Sequence, residues 1–293
     1  MIPKDWLKRI RRVEVKSRLI SEQMMAGLSG SIFKGRGIDF EDVREYAPGD
    51  DVRRIDWNVT ARQRKPFIKR FIEERELVIL LLVDMSNSGH FGTTGRTKRE
   101  LAAELAGALA FSAIRDSDRV GLVMFTDEVE TFHPPRKSRQ HVLRLIRDLL
   151  YRPIERDGTS IKNALAFVNR VVHRPAVVFI ISDFIDEGYE RMLKAANQRH
   201  DIIAVKLLDP RELTLPDVGV AALQDAETGE VLEIDTSDDA VRAAFEKQAS
   251  ARQLALKEFF HRSKIGHLEL RTDRPYQKRL RTFFEQRARA KIA

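Results

Sequence analysis

The chain has 293 residues, 43% of them apolar, no cysteine and a formal net charge of +8. Without thiols there are no disulfides, thiolate metal sites or cysteine nucleophiles, and the composition fits a reducing cytoplasm. No apolar run approaches the roughly eighteen residues of a membrane-spanning helix, and the basic start MIPKDWLKRIRRVEVK lacks the apolar middle of a secretion signal.

A cytoplasmic protein with no stable membrane insertion is therefore expected. Its charge is uneven: residues 1–76 and 252–293 are basic and 77–251 acidic. Such a distribution fits either contact with something anionic or solvated helix faces.

Taken in order, residues 4–20 place Trp6, Ile10, Val13 and Ser17 at helical spacing, an amphipathic helix expected to dock on its own core. Residues 28–37 are glycine-rich and irregular. The stretch 35–57, GRGIDFEDVREYAPGDDVRRIDW, is the densest polar segment. Within it Pro48-Gly49 predicts a type II turn. Arg44, Arg53 and Arg54 set against Asp50, Asp51 and Asp56 predict an ion-pair network, internal or at an interface, rather than a catalytic acid–base pair. Phe67 to Ile72 reads as a strand.

Leu77 to Val83 are seven consecutive apolar residues that stop at Asp84. A run of that kind predicts a strand buried on both faces of a parallel sheet. Residues 89–97, GHFGTTGRT, read as a mobile loop, and their spacing rejects a Walker phosphate loop. Helices follow over 98–115, 138–150, 160–172 and 188–199. Strands alternate with them over 120–125, 129–132, 177–181 and 202–208, the first two joined as a hairpin. A second hairpin turns at Glu227-Thr228-Gly229-Glu230, and Ser237-Asp238 opens a helix to about Arg262. Residues 267–270 form a last strand, and Pro275 starts a basic terminal helix. This alternation implies an α/β fold, doubly wound and mainly parallel, with helices on both faces.

Open sheets of this kind bind ligands beyond the carboxyl ends of strands, where strand order reverses. Asp84-x-Ser86-x-Ser88 offers one carboxylate and two hydroxyls at such an end. Arg156-Asp157-Gly158-Thr159-Ser160 adds the Thr159 hydroxyl, and the 177–181 strand ends in Ser182-Asp183. Oxygen donors alone suit a hard cation, Mg²⁺ first, with Mn²⁺ or Ca²⁺ as alternatives. Taken singly, Asp and Ser after a strand are also ordinary turn formers and helix caps.

The pattern resembles a von Willebrand factor A-type domain with a metal-ion-dependent adhesion site. The resemblance implies that Ser86, Ser88 and Thr159 bind the ion directly and that Asp84 and Asp183 act mostly through water. It leaves one position for a carboxylate from a partner protein. The stretch 35–62, together with PFIKRFIEERELVILLLVD, is similar to the bacterial domain-of-unknown-function family fifty-eight. Members of that family accompany MoxR-type AAA+ ATPases, which implies such an ATPase as partner. The expected division is a 1–76 extension and a 77–293 von Willebrand factor A-like domain.

The expected function is a non-enzymatic, metal-dependent protein-interaction module. A metal-dependent, phosphatase-like hydrolase is the alternative, with His90 near the site as a base. Against it, position 86 is Ser where a phosphatase pattern wants a second acid. The third reading is nucleic-acid or anionic-membrane binding through Arg271, Arg274, Lys278, Arg279 and Arg281. Phe283 and Phe284 among those charges read as core contacts, and no nucleic-acid binding is expected.

Overall fold

The computed structural model describes residues 4–25, 39–72, 76–154, 156, 158–224 and 230–290. The glycine-rich stretch 28–37, Asp157, the Arg54 side chain and the hairpin tip Glu227-Thr228-Gly229 lie outside the described residues. Two compact units emerge. One takes in the N-terminal helix and the chain from Val78 onward, and the other lies between them and ends at Leu77. The larger unit's sheet starts at Val78, and helix α1 (Lys4–Met25) groups with that unit.

The smaller unit is built on an antiparallel pair, β1 (Asp39–Glu45) and β2 (Phe67–Ile72). Its turn is the one the sequence predicts. Asp50 N–H donates to the Ala47 carbonyl at 3.1 Å, and Gly49 has φ +103°, where a side chain would be strained. Of the expected ion pairs, Arg44 Nη2 meets Asp50 Oδ1 at 2.7 Å. Asp51 instead accepts the Arg53 N–H at 3.0 Å. Asp56 accepts those of Asn58 and Val59 at 3.0 and 3.2 Å, at the start of α2 (Trp57–Gln63). A short carboxylate beside unpaired N–H groups of a helical turn satisfies donors that no distant residue can reach. Among the described residues Asp51 and Asp56 thus serve as caps as well as members of the charged cluster.

The larger unit holds a six-stranded sheet. Its strands are β3 (Val78–Asp84), β4 (Arg119–Phe125), β5 (Val129–Arg136), β6 (Val177–Ser182), β7 (Asp201–Leu208) and, after a separate hairpin of β8 (Val220–Gln224) and β9 (Val231–Asp235), β10 (Gly266–Arg271). The order is β10-β7-β6-β3-β4-β5, and every neighbouring pair is parallel except β4 with β5. Between the strands run α3 (Lys98–Arg115), α4 (Arg139–Tyr151), α5 (Ile161–Val171), α6 (Glu190–Arg199) and α7 (Asp239–Arg262), with α8 (Gln277–Ala290) last.

Leu80, Leu82, Val178 and Ile180 pack against Ile161, Leu165 and Leu193 of α5 and α6 on one face. Ile79, Leu81 and Val83 alternate to the other face and are fully buried, and α3 lies against β3 and β4. Buried on both sides, the central strand has no polar position until it ends at Asp84. α1 docks on α3 as expected: Ser17 Oγ donates to the Glu104 carbonyl at 2.9 Å, and Lys16 Nζ meets Glu104 Oε1 at 2.6 Å. Gly107 permits that approach, because a Cβ there would stand 2.6 Å from Ser17 Oγ.

Strand order reverses at β3. The chain leaves it for β4 on one side and later returns to β6 on the other. Asp84 and Ser182-Asp183 therefore leave the sheet side by side, at the crevice where such folds bind ligands. Among the described residues no helix is long and apolar enough to cross a membrane.

Candidate functional site

Met85 N–H donates to the Phe125 carbonyl at 2.8 Å, which holds the first residue after β3 to its neighbour. The chain then curls. Asp84 Oδ1 accepts the Ser86 N–H at 3.0 Å, and the turn that follows brings the Ser86 and Ser88 hydroxyls to 3.1 Å from each other. From the adjacent strand, Ser182 Oγ donates to Asp84 Oδ2 at 2.7 Å. Asp183 Oδ1 accepts the Ile185 N–H at 3.2 Å, and its carboxylate also takes the Ser88 hydroxyl. Phe184, directly after it, has φ +58°, an unfavourable conformation for an aromatic residue. Strain of this kind persists where surrounding packing fixes an important neighbour.

A chain of hydrogen bonds thus joins four of the five expected residues: Asp84, Ser86, Ser88 and Asp183. Thr159 comes from the other side. Ser160 N–H donates to the Thr126 carbonyl at 2.8 Å, placing Thr159 beside the carboxyl end of β4, the other neighbour of β3.

One constituent was missed by the sequence reading. Lys98, the first residue of α3, is 3% exposed, and its Nζ lies 2.6 Å from Asp183 Oδ2 and 2.5 Å from Glu212 Oε1. A buried cation at a helix N-terminus opposes both desolvation and the helix dipole. Only the two acids make it tenable. The available signal was a lysine placed straight after a capping threonine, at the head of an alanine- and leucine-rich helix.

The loop before it, expected to be mobile, is tied down. Thr93 gives both its N–H and its hydroxyl to Asp209, at 3.0 and 2.6 Å. Arg96 Nη2 donates to the carbonyls of Arg271 and Thr272 at 3.1 and 2.9 Å. Three glycines suggested freedom, whereas the polar residues between them supply anchors.

Burial and the neighbouring Asp183 charge push the Asp84 carboxyl up to about 7, against hydrogen bonds from Ser182 and Ser86. For Asp183 burial acts the same way, but the Lys98 ammonium and the hydrogen bonds outweigh it and hold the carboxyl below its usual range. Burial opposes the Lys98 charge too. Asp183 and Glu212 overcome it and keep the ammonium charged. Burial pushes Glu212 up despite Lys98. His90, the base considered for the hydrolase reading, has Arg99 Nη1 3.3 Å from its Nε2, and burial and that arginine lower its pKa.

The donor set fits a small hard cation. Adjacent ligands of an octahedral Mg²⁺ with bonds of about 2.1 Å stand about 3 Å apart, and the two serine hydroxyls are 3.1 Å apart. A cleft of about 10 Å³ bounded by Asp84, Ser88, Lys98 and Asp183 has the scale of a single water or ion. Among the described residues no group of three or more His, Asp or Glu side chains comes together as for a metal. The hydroxyls are therefore indispensable to this candidate.

Fold and edge define a doubly wound α/β protein with an oxygen-lined crevice at its strand reversal. The chain belongs to the family described as Protein of unknown function DUF58, whose model matches residues 42–255. It is 35% identical to "Uncharacterized protein Rv1480" of Mycobacterium tuberculosis over 287 residues, 97% of this chain and 90% of the relative. It is 27% identical to "Uncharacterized protein YeaD" of Bacillus subtilis over 125 residues, 42% of this chain and 29% of that protein. Among solved structures, the conserved hypothetical protein BatB from Bacteroides thetaiotaomicron is similar at 19% identity with a TM-score of 0.46, over 73% of this chain and 99% of that one.

Proposed function

We propose that this protein is a non-enzymatic binding module whose crevice holds a divalent cation, Mg²⁺ in the first instance, and receives an Asp or Glu side chain from a partner protein. The observation that carries this reading is the pair of Ser86 and Ser88 hydroxyls, 3.1 Å apart, linked through Ser88 to Asp183 and through Ser86 to Asp84. Ser86, Ser88 and Thr159 would hold the ion, with Asp84 and Asp183 supporting it from behind. When bound, the ion supplies uncompensated positive charge, which attracts a carboxylate. An all-neutral first set of donors leaves that charge available, whereas a shell of carboxylates would cancel it.

The surrounding residues serve this role without catalysis. Ser182 fixes the Asp84 carboxylate, and the Asp183 carboxylate is fixed by Ser88 and the Ile185 N–H. Neither acid stands free as a nucleophile. A MoxR-type AAA+ ATPase is the proposed partner, carried by the resemblance of the 35–62 segment, and the cytoplasm is the proposed location, carried by the cysteine-free composition. The basic terminal helix is assigned no nucleic-acid role. Phe284 is 2% exposed and packs on Phe179 with ring centroids 6.3 Å apart, and Arg271 pairs with Asp273 at 2.9 Å.

The test is capture of the ATPase by the purified protein in Mg²⁺ and in EDTA, for the wild type and Asp84→Ala. Capture is expected only for the wild type in Mg²⁺. Equal capture in all four conditions would end the proposal.

A further inference from the structure

Lys98 has no part in the donor set just described, yet it touches that set. Its ammonium sits 2.6 Å from the very carboxylate that supports the candidate ion, and the cleft wall it forms is shared with Asp84 and Ser88. We infer that Lys98 is a tethered cation that competes with the divalent ion for Asp183, so that metal uptake requires the ammonium to withdraw onto Glu212. The inference rests on the proposed metal reading and deepens it, by naming what regulates the site.

Three features of the geometry support it. First, the ammonium is shared. Glu212 Oε1 holds it at 2.5 Å while Glu212 Oε2 accepts the Asp209 N–H at 3.2 Å. The second acceptor is thus fixed in place and can retain the charge when Asp183 is drawn to a metal. Withdrawal then costs no unpaired buried ammonium, which would otherwise be prohibitive.

Second, Lys98 is delivered rigidly. Thr97 and Glu100 form a capping box at the start of α3, and Lys98 N–H donates to the Phe91 carbonyl at 3.0 Å. The loop preceding it is pinned at Asp209 by Thr93. Asp209 therefore touches both Glu212 and the 89–97 loop, and movement of the ammonium is transmitted to a surface loop beside the crevice.

Third, a lysine is expensive here. It is buried at the positive end of a helix, where a neutral residue would serve packing equally well. The cluster keeps a monovalent, covalently attached charge against Asp183, and this substitutes for the ion until the ion displaces it.

The experiment is Mn²⁺ binding to the full chain by calorimetry, for the wild type, Lys98→Met and the double variant Lys98→Met with Glu212→Leu. Lys98→Met leaves two acids without their ammonium, and the double variant removes Glu212, the one outside the donor set, which protects the test against a folding failure. Mn²⁺ affinity is expected to rise at least tenfold in either variant, and Lys98→Arg, which retains the charge, is expected to show no rise. A second readout is acylation of lysines in the wild type followed by mass spectrometry. Labelling at Lys98 should increase severalfold at saturating Mg²⁺ as the ammonium leaves Asp183.

Equal Mn²⁺ affinity in wild type and both methionine variants, with Lys98 labelling unchanged, overturns the competition and leaves the metal reading standing. Absence of Mn²⁺ binding in all of them overturns the metal reading itself, and the competition with it. Binding seen only after removal of Lys98 supports both.

Discussion

Two aspartates at the same edge of the sheet make an instructive pair. Asp209 directly follows β7 and is fully buried, yet its carboxyl lies below the usual range. Burial opposes that, but Thr93 donates twice, Thr272 Oγ once at 2.7 Å and Arg211 N–H once at 3.0 Å. Asp84 ends β3, accepts the N–H and the hydroxyl of Ser86 and the Ser182 hydroxyl, and faces the Asp183 charge. Its carboxyl is pushed up to about 7. Residue type and position on the sheet are alike, so the neighbouring charge and the donors decide. Four neutral donors complete an anion and make it a structural pin. Three donors and a like charge leave an anion short of positive charge, which is the condition under which a cation binds.

The sharpest way to break that comparison is Asp209→Ala. It strands the buried Thr272 hydroxyl, unties both Thr93 donors and releases the 89–97 loop, and should cost about 4 kcal/mol. Urea denaturation at neutral pH measures it, and the loss should be the same in Mg²⁺ and EDTA. A cost below about 1 kcal/mol would show that Asp209 is no pin.

Asp84→Asn should act in the opposite direction. Below about pH 4 the carboxyl is protonated in folded and unfolded chains alike, and it makes no difference. Between about pH 4 and 7 the unfolded chain releases the proton while the folded one keeps it, so wild-type stability falls by about 1.4 kcal/mol per pH unit. In EDTA the variant should therefore match the wild type near pH 4 and exceed it progressively up to pH 7, by at most about 4 kcal/mol because Asp183 takes up part of the change. Parallel stability curves for the two proteins would remove the distinction between the aspartates.

The difference between these two residues was only half legible in the sequence. Asp84 announced itself because seven apolar residues ran into it, and Asp183 likewise, since a buried strand has one place to become polar. The alternation of strands and helices gave the doubly wound sheet and put both acids at its reversal, as found. Lys98, Glu212 and Asp209 carried no such mark. Each lies in a polar or mixed stretch whose meaning depends on contacts 85 to 116 residues away along the chain, and periodicity reports only on near neighbours. The same limit applies to the smaller unit. Opposite charges within a dozen residues suggested ion pairs there, but they carried no sign that Asp51 and Asp56 also cap turns, because that role depends on where a backbone N–H points.

The smallest of these effects isolates the titration of Asp84 from that of the rest of the molecule. His267 lies on β10, its ring stacked on Phe260 with centroids 5.0 Å apart, and its Nε2 meets no partner among the described residues. Burial, reinforced by Lys257 and Lys206 and opposed by Glu269, lowers its pKa to about 4. A histidine kept neutral in the fold favours folding fully above about pH 6.5. The contribution is lost as pH falls toward 4, because the unfolded chain then takes the proton first. Asp84 destabilises as pH rises across nearly the same interval. The two slopes therefore oppose each other, and the wild-type profile in EDTA should be flatter than either group alone would make it. His267→Leu should expose the Asp84 slope, making the protein gain up to about 3 kcal/mol relative to wild type near pH 4 and nothing above pH 7. Combined with Asp84→Asn it should level the profile again. If His267→Leu instead shifted stability equally at every pH, the ring would be acting through packing alone, and the Asp84 slope would have to be read from its own variant without this correction.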